Sequence, residues 1–117
     1  MRAPGSTLRI STDEMYKLLR EGSVGEFNAR RAAGVSVDLR SCDFRAVDLR
    51  GINAEGLDFS DCYFRQADLR GVDLRKARLD GASIHSAHIA GAYFPSEIAA
   101  AEIELSLIHG TRMRRSP

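Results

Sequence analysis

From Val37 to Ser96 the chain counts in fives, a period that belongs neither to the helix, at 3.6, nor to the flat strand, at 2. Twelve fives follow one another without a gap and take up 60 of the 117 residues. They run from Val37-Asp38-Leu39-Arg40-Ser41 to Ala92-Tyr93-Phe94-Pro95-Ser96. A chain with this period must turn a corner every five residues.

The centre of each five is large and apolar, as in Leu39, Phe44, Leu49, Phe59, Phe64, Leu69, Leu74, Leu79, Ile84, Ile89 and Phe94. Ala54 is the small exception. Two residues earlier runs a smaller apolar column, among it Val37, Cys42, Val47, Ile52, Leu57, Cys62, Ala67 and Val72. Residues two apart on extended chain share a face, so each five sends two side chains inward. Gly51, Gly56, Gly71, Gly81 and Gly91 close their fives, where a tight corner favours glycine. Stacked coils of such corners build a continuous apolar interior, the logic of a solenoid. Periodicity alone leaves the number of sides and the hand open.

Val37-Asp38-Leu39, Cys42-Asp43-Phe44, Val47-Asp48-Leu49, Ala67-Asp68-Leu69 and Val72-Asp73-Leu74 resemble the pattern of pentapeptide-repeat proteins. That pattern is a small residue, Asp or Asn, Leu or Phe, then two variable residues. The resemblance implies a mainly β fold: a right-handed quadrilateral β-helix of about three coils, twenty residues each; the flanking residues themselves are read as α-helical caps at both ends. Arg78, Ser83, His88 and Tyr93 replace the Asp late in the series. The expected organisation is one structural domain: an N-terminal helical cap over 1–36, the repeats over 37–96, and a C-terminal helix with a basic tail over 97–117.

In the N-terminal region, Ser11 and Glu14 form a capping box and Ile10 a staple onto Met15, predicting a helix up to Gly22. Ser23 and Glu26 form a second box, leading a short helix from Phe27 to Ala33 that Gly34 stops. Leu19 and Phe27 are the candidate lid over the first coil. After Pro95-Ser96, a helix is predicted from Ile98 to His109, ended by Gly110. The tail with Arg112, Arg114 and Arg115 reads as a solvated end.

The composition, 44% hydrophobic and 28% charged, is that of a globular chain. No apolar run has the length of a membrane span, and the N-terminus lacks a signal peptide's apolar core, so a cytoplasmic location is expected. Cys42 and Cys62 stand twenty apart, hence as neighbours on successive coils, and are expected as buried thiols. No phosphate loop, paired-Cys motif or helical His-Glu-His pattern occurs. His85 and His88 lack a third ligand, and no orienting acid accompanies Ser83 or Ser86. The reading is no enzyme, no metal and no cofactor.

The outer surface carries the functional expectations. Folded by twenties, Arg45, Arg65 and His85 stack on one side and Arg50 and Arg70 on the next, a possible basic corner for a protein partner. The plainer reading is an ion-pair lattice in which neighbouring Asp neutralise each Arg. Some pentapeptide-repeat proteins mimic duplex DNA and bind DNA gyrase, giving fluoroquinolone resistance. Such a mimic needs a strong negative field. Residues 37–96 hold nine carboxylates against eight bases, and three coils span only about 15 Å, so the mimic is the weaker alternative to a protein-interaction or scaffold module. Nucleic acid is not an expected partner. On a helical wheel, Ala99, Ala100, Ile103 and Leu107 fall on one side, and Ile98, Ala101, Leu105 and Ile108 on the other. The second side predicts a homodimer through this helix, in keeping with the C-terminal dimerisation that the resemblance implies.

Overall fold

The computed structural model describes residues 13–117. Most fives of the repeat turn their corner in the same way. The N–H three residues beyond the central apolar residue donates back to that residue's carbonyl, as in Val47 to Phe44 at 3.2 Å, Ala67 to Phe64 at 3.0 Å and Ala82 to Leu79 at 3.0 Å. The third turn residue takes a positive φ, the sign a type II turn demands there. Gly71 and Gly91 do so at 71°. Ala46, Asp61 and Gln66 do so too, at 59–60°, so the corner is imposed by the stack and not by glycine alone.

Where a five has Asp or Asn at its second position, that side chain presets the corner. Its Oδ1 accepts the backbone N–H two residues on: Asp48 from Arg50 at 3.1 Å, Asn53 from Glu55 at 3.1 Å, Asp58 from Ser60 at 2.9 Å and Asp73 from Arg75 at 3.0 Å. This is an Asx turn, repeated along the chain.

Successive circuits lie in a twenty-residue parallel register. Asp43 bridges to Tyr63 and Tyr63 to Ser83; Asp48 bridges to Asp68 and Asp68 to His88. One residue makes each bridge in both directions: Asp68 N–H donates to Val47 O, and Leu49 N–H donates to Asp68 O, both at 2.9 Å.

These bridges correct the expected class. The mainly β fold, a quadrilateral β-helix, is not what forms: among the described residues there is no β-strand, only isolated single-residue bridges and three short helices. The reason is the period itself. With a turn every five residues, too little extended chain remains on a side for a continuous ladder.

The interior follows the two apolar columns. Leu39, Phe44, Leu49, Phe59, Phe64, Leu69, Leu74, Leu79 and Ile84 are all buried. Phe44 and Phe64 stack at 5.3 Å between ring centroids, and Phe59 meets Phe64 edge-on at 5.3 Å. Tyr16 adds a further edge onto Phe44 at 5.5 Å. Cys42 and Cys62 are buried thiols with no disulfide between them; the Cys62 Sγ–H donates to Leu39 O at 2.8 Å, and burial pushes its pKa up.

At Ala54 the stack is interrupted. Asn53 and Asp73 form no bridge, and a notch of about 420 Å³ opens there between Ile52–Glu55 and Asp73, Arg75 and Lys76. Lys76 does not take the positive φ of its counterparts, and its own carbonyl, one residue further on than at other corners, accepts Gly56 N–H at 3.0 Å.

Two helices cover the first circuit, α1 (Glu14–Arg20) and α2 (Val24–Ala32). Leu19 and Phe27 are fully buried in the core they share with Phe44. Asp13 caps α1, accepting Met15 N–H at 2.8 Å; Ser11 and Ile10 lie outside the described residues. Ser23 precedes α2 without a side-chain cap, so the second box does not form. Side chains of these helices then tie down carbonyls of the first circuit. Tyr16 Oη donates to Asp43 O at 2.6 Å, Arg20 to Arg45 O at 2.9 Å, Asn28 to Gly51 O at 3.0 Å, and Arg31 to both Asn53 O and Glu55 O at 3.0 Å.

At the other end, α3 (Ala100–His109) closes with Gly110 at φ 75°, a left-handed cap that only glycine adopts readily. Its one fully buried residue is Ser106, whose Oγ accepts Ile84 N–H at 3.0 Å, while Ile103 and Leu107 are half-buried beside it. The expected solvated tail is corrected. Met113 is fully buried, Gly81 N–H donates to Met113 O at 2.7 Å, and Met113 N–H donates to Ala82 O at 2.9 Å.

Candidate interaction surface

The outer surface is built by the same Asp-x-Arg unit that makes the corners. Where an arginine stands two residues on, the carboxylate that accepts the turn N–H also takes its side chain: Asp43 with Arg45 at 2.7 Å, Asp48 with Arg50 at 2.8 Å, Asp68 with Arg70 at 2.7 Å and Asp73 with Arg75 at 2.8 Å. Arg50 also reaches Asp68 on the next circuit, at 3.3 Å. Where Tyr replaces Asp, the arginine of the preceding circuit or its neighbour lies over the ring: Arg45 over Tyr63 at 5.9 Å and Arg75 over Tyr93 at 4.7 Å.

The five residues of the expected basic corner therefore differ in state. Arg45, Arg50 and Arg70 are committed to carboxylates. Arg65 has no ion pair among the described residues, because Tyr63 stands where its Asp would be. His85 is half-buried against Gly110, with its Nδ1 buried and without a hydrogen-bond partner, instead of pointing outward. His88 is exposed, and no three His, Cys, Asp or Glu side chains among the described residues converge as metal ligands. The tail arginines are also paired, Arg114 with Glu102 at 3.0 Å, Arg112 with Asp61 at 3.7 Å and Arg115 with Asp80 at 3.5 Å.

A family model of pentapeptide repeats matches residues 58–94, in eight copies. Residues 58–94 are pentapeptide repeats. No curated protein and no solved structure matches the chain. The repeat explains its Asp: it is first a turn-former and, where an arginine stands two residues on, second a counter-ion whose charge is cancelled inside the unit.

The paired carboxylates predict how the protein responds to acid. Hydrogen bonds from the neighbouring arginine hold Asp48 and Asp68 below the usual carboxylate range, and bring Asp73 to about 2. At Asp43, burial works the other way, but the bonds from Arg45 outweigh it and the net direction is down. A carboxylate with a depressed folded pKa contributes stability that is present above its unfolded value, about 3.9. That contribution is lost as pH falls through the folded values. The melting temperature is expected to hold between pH 7 and about pH 5, then fall steadily toward pH 2. A melt that is unchanged at pH 2 contradicts the lattice.

The four residues expected at a dimer contact are split by the structure. Ile98 precedes α3 and is 5% exposed, inside the core. Leu105 and Ile108 are 42% and 55% exposed, and with Ala101, Glu104 and His109 they line an open hollow of about 320 Å³. Sequence reasoning missed Ser106 and Met113 as the docking residues, since a serine and a Met between arginines carry no apolar period.

Proposed function

We propose that this protein is a non-catalytic protein-interaction or scaffold module that works as a homodimer through α3. The observation that carries this reading is the apolar side of α3 formed by Ala101, Leu105 and Ile108, which nothing else among the described residues covers. Large apolar side chains exposed side by side mark an association surface. A two-fold contact lets the patch meet itself. Ile98 supports the contact from the core side and does not take part in it. A cytoplasmic setting suits the thiols of Cys42 and Cys62. No helix among the described residues is long and apolar enough to cross a membrane.

Light scattering tests the assembly. The wild type is expected to run as a dimer, and the double variant Leu105→Glu, Ile108→Glu as a folded monomer. A wild type that stays monomeric at high micromolar concentration ends the proposal. The alternative implied by the resemblance, a DNA mimic on gyrase, needs carboxylates whose field is not cancelled locally. Asp43, Asp48, Asp68 and Asp73 each hold an arginine within 2.8 Å, so the expected result is no inhibition of gyrase supercoiling at excess protein. For a protein partner at the basic corner, Arg65 is the arginine left to bind it.

A further inference from the structure

The last circuit is finished on one half and open on the other. On its finished half, the C-terminal chain supplies the missing neighbour: Gly81 and Ser86 donate their N–H groups to Met113 O and Leu107 O, and Met113 N–H donates to Ala82 O. The side chains of Leu79, Ala82 and Ile84 beneath are buried. On the other half, the turn at Ile89–Ala92 and the bridge at Tyr93 pair only with the circuit before. Toward the free end, the N–H groups of Ile89, Gly91 and Phe94 and the carbonyls of Ala87 and Ala92 have no hydrogen-bond partner among the described residues. Ile89, Ala92 and Phe94 are half-exposed there, although every central residue of the first two circuits is buried.

We propose that this open half-end is a docking edge for an extended segment of a partner protein, laid parallel to residues 87–94. The pairing it offers is written one circuit below. Asp68 gives its N–H to Val47 O and takes Leu49 N–H, and His88 does the same with Ala67 O and Leu69 N–H. An incoming residue therefore meets Ala87 O and Ile89 N–H together, and one five positions later meets Ala92 O and Phe94 N–H. Backbone pairing supplies the affinity, and apolar side chains five residues apart, seated over Ile89 and Phe94, supply the selectivity. Met113 shows within this chain that a non-helical stretch pairs by its backbone with the end of the last circuit.

The probe is a decapeptide with the sequence of residues 67–76, which in the structure lies against 87–96 on the same two sides. Titrated into the isotope-labelled full chain, it is expected to shift the amide signals of residues 87–94 saturably. It is also expected to slow hydrogen exchange at Ile89, Gly91 and Phe94 at least tenfold. Ile89→Lys puts a charge at the edge and should abolish both effects, with a melt to show that the variant is folded. Should that variant not fold, a decapeptide with both leucines changed to Asp serves instead, and is expected not to bind. No shifts at millimolar peptide, shifts centred elsewhere, or equal binding by the charged variant or peptide overturns the proposal. So does slow exchange of these three amides in the peptide-free dimer with fast exchange in the Leu105→Glu, Ile108→Glu monomer, which assigns the edge to a second copy.

Discussion

Replacing Phe64 by Ala is expected to destabilise the protein by about 3–5 kcal/mol, the range for emptying a packed aromatic site. Phe64 sits in the middle circuit, fully buried, stacked on Phe44 and edge-on to Phe59. Its neighbours cannot collapse onto the gap, because Phe44 is held by Tyr16 and each circuit is held in register by its bridges. Stacked aromatics also lose their mutual contact, so Phe44→Ala combined with Phe64→Ala should cost less than the two single losses added. Urea unfolding of the three variants reads this directly. An unchanged midpoint for Phe64→Ala removes the residue from the core.

Met113→Ala is expected to cost about 2–5 kcal/mol, a large loss for a residue set among three arginines. Both backbone hydrogen bonds of Met113 survive the change, so the loss measures its side chain alone. That side chain is fully buried in the same core as Leu79 and Ile98. By contrast, Arg112→Ala and Arg115→Ala should each stay within about 0.5 kcal/mol, since both are exposed and their ion pairs are long. A solvated tail would give no effect for any of the three. Thermal or urea unfolding of the set distinguishes the two.

The interior was legible because its signal is strictly periodic. Leu39, Phe44, Phe59 and Phe64 each stand at the centre of a five, and no arrangement that turns every five residues can send them outward. The Asp–Arg surface was legible in the same way, since both partners lie within one unit and need no knowledge of the fold. The ends were not. Ser106 docks α3 because Ile84 N–H needs an acceptor where the repeat stops, a demand set by the circuit below and invisible in the helix's own sequence. Ile98 was placed on the free side by a helical wheel, yet α3 starts only at Ala100 and Ile98 turns into the core.

The sequence by itself determined where the chain turns, which side chains face inward and which charges cancel, all from interactions within five residues of one another. The tertiary structure decided how little regular strand results, because hydrogen bonds between circuits form only where two sides come into register. It opened the notch beside Ala54, where Lys76 keeps a negative φ and the bridge between Asn53 and Asp73 is lost. It also folded the arginine-rich tail back onto Gly81 and Ala82. An exposed backbone edge attracts whatever part of the chain can reach it, and that choice depends on distance in space, which no local pattern encodes.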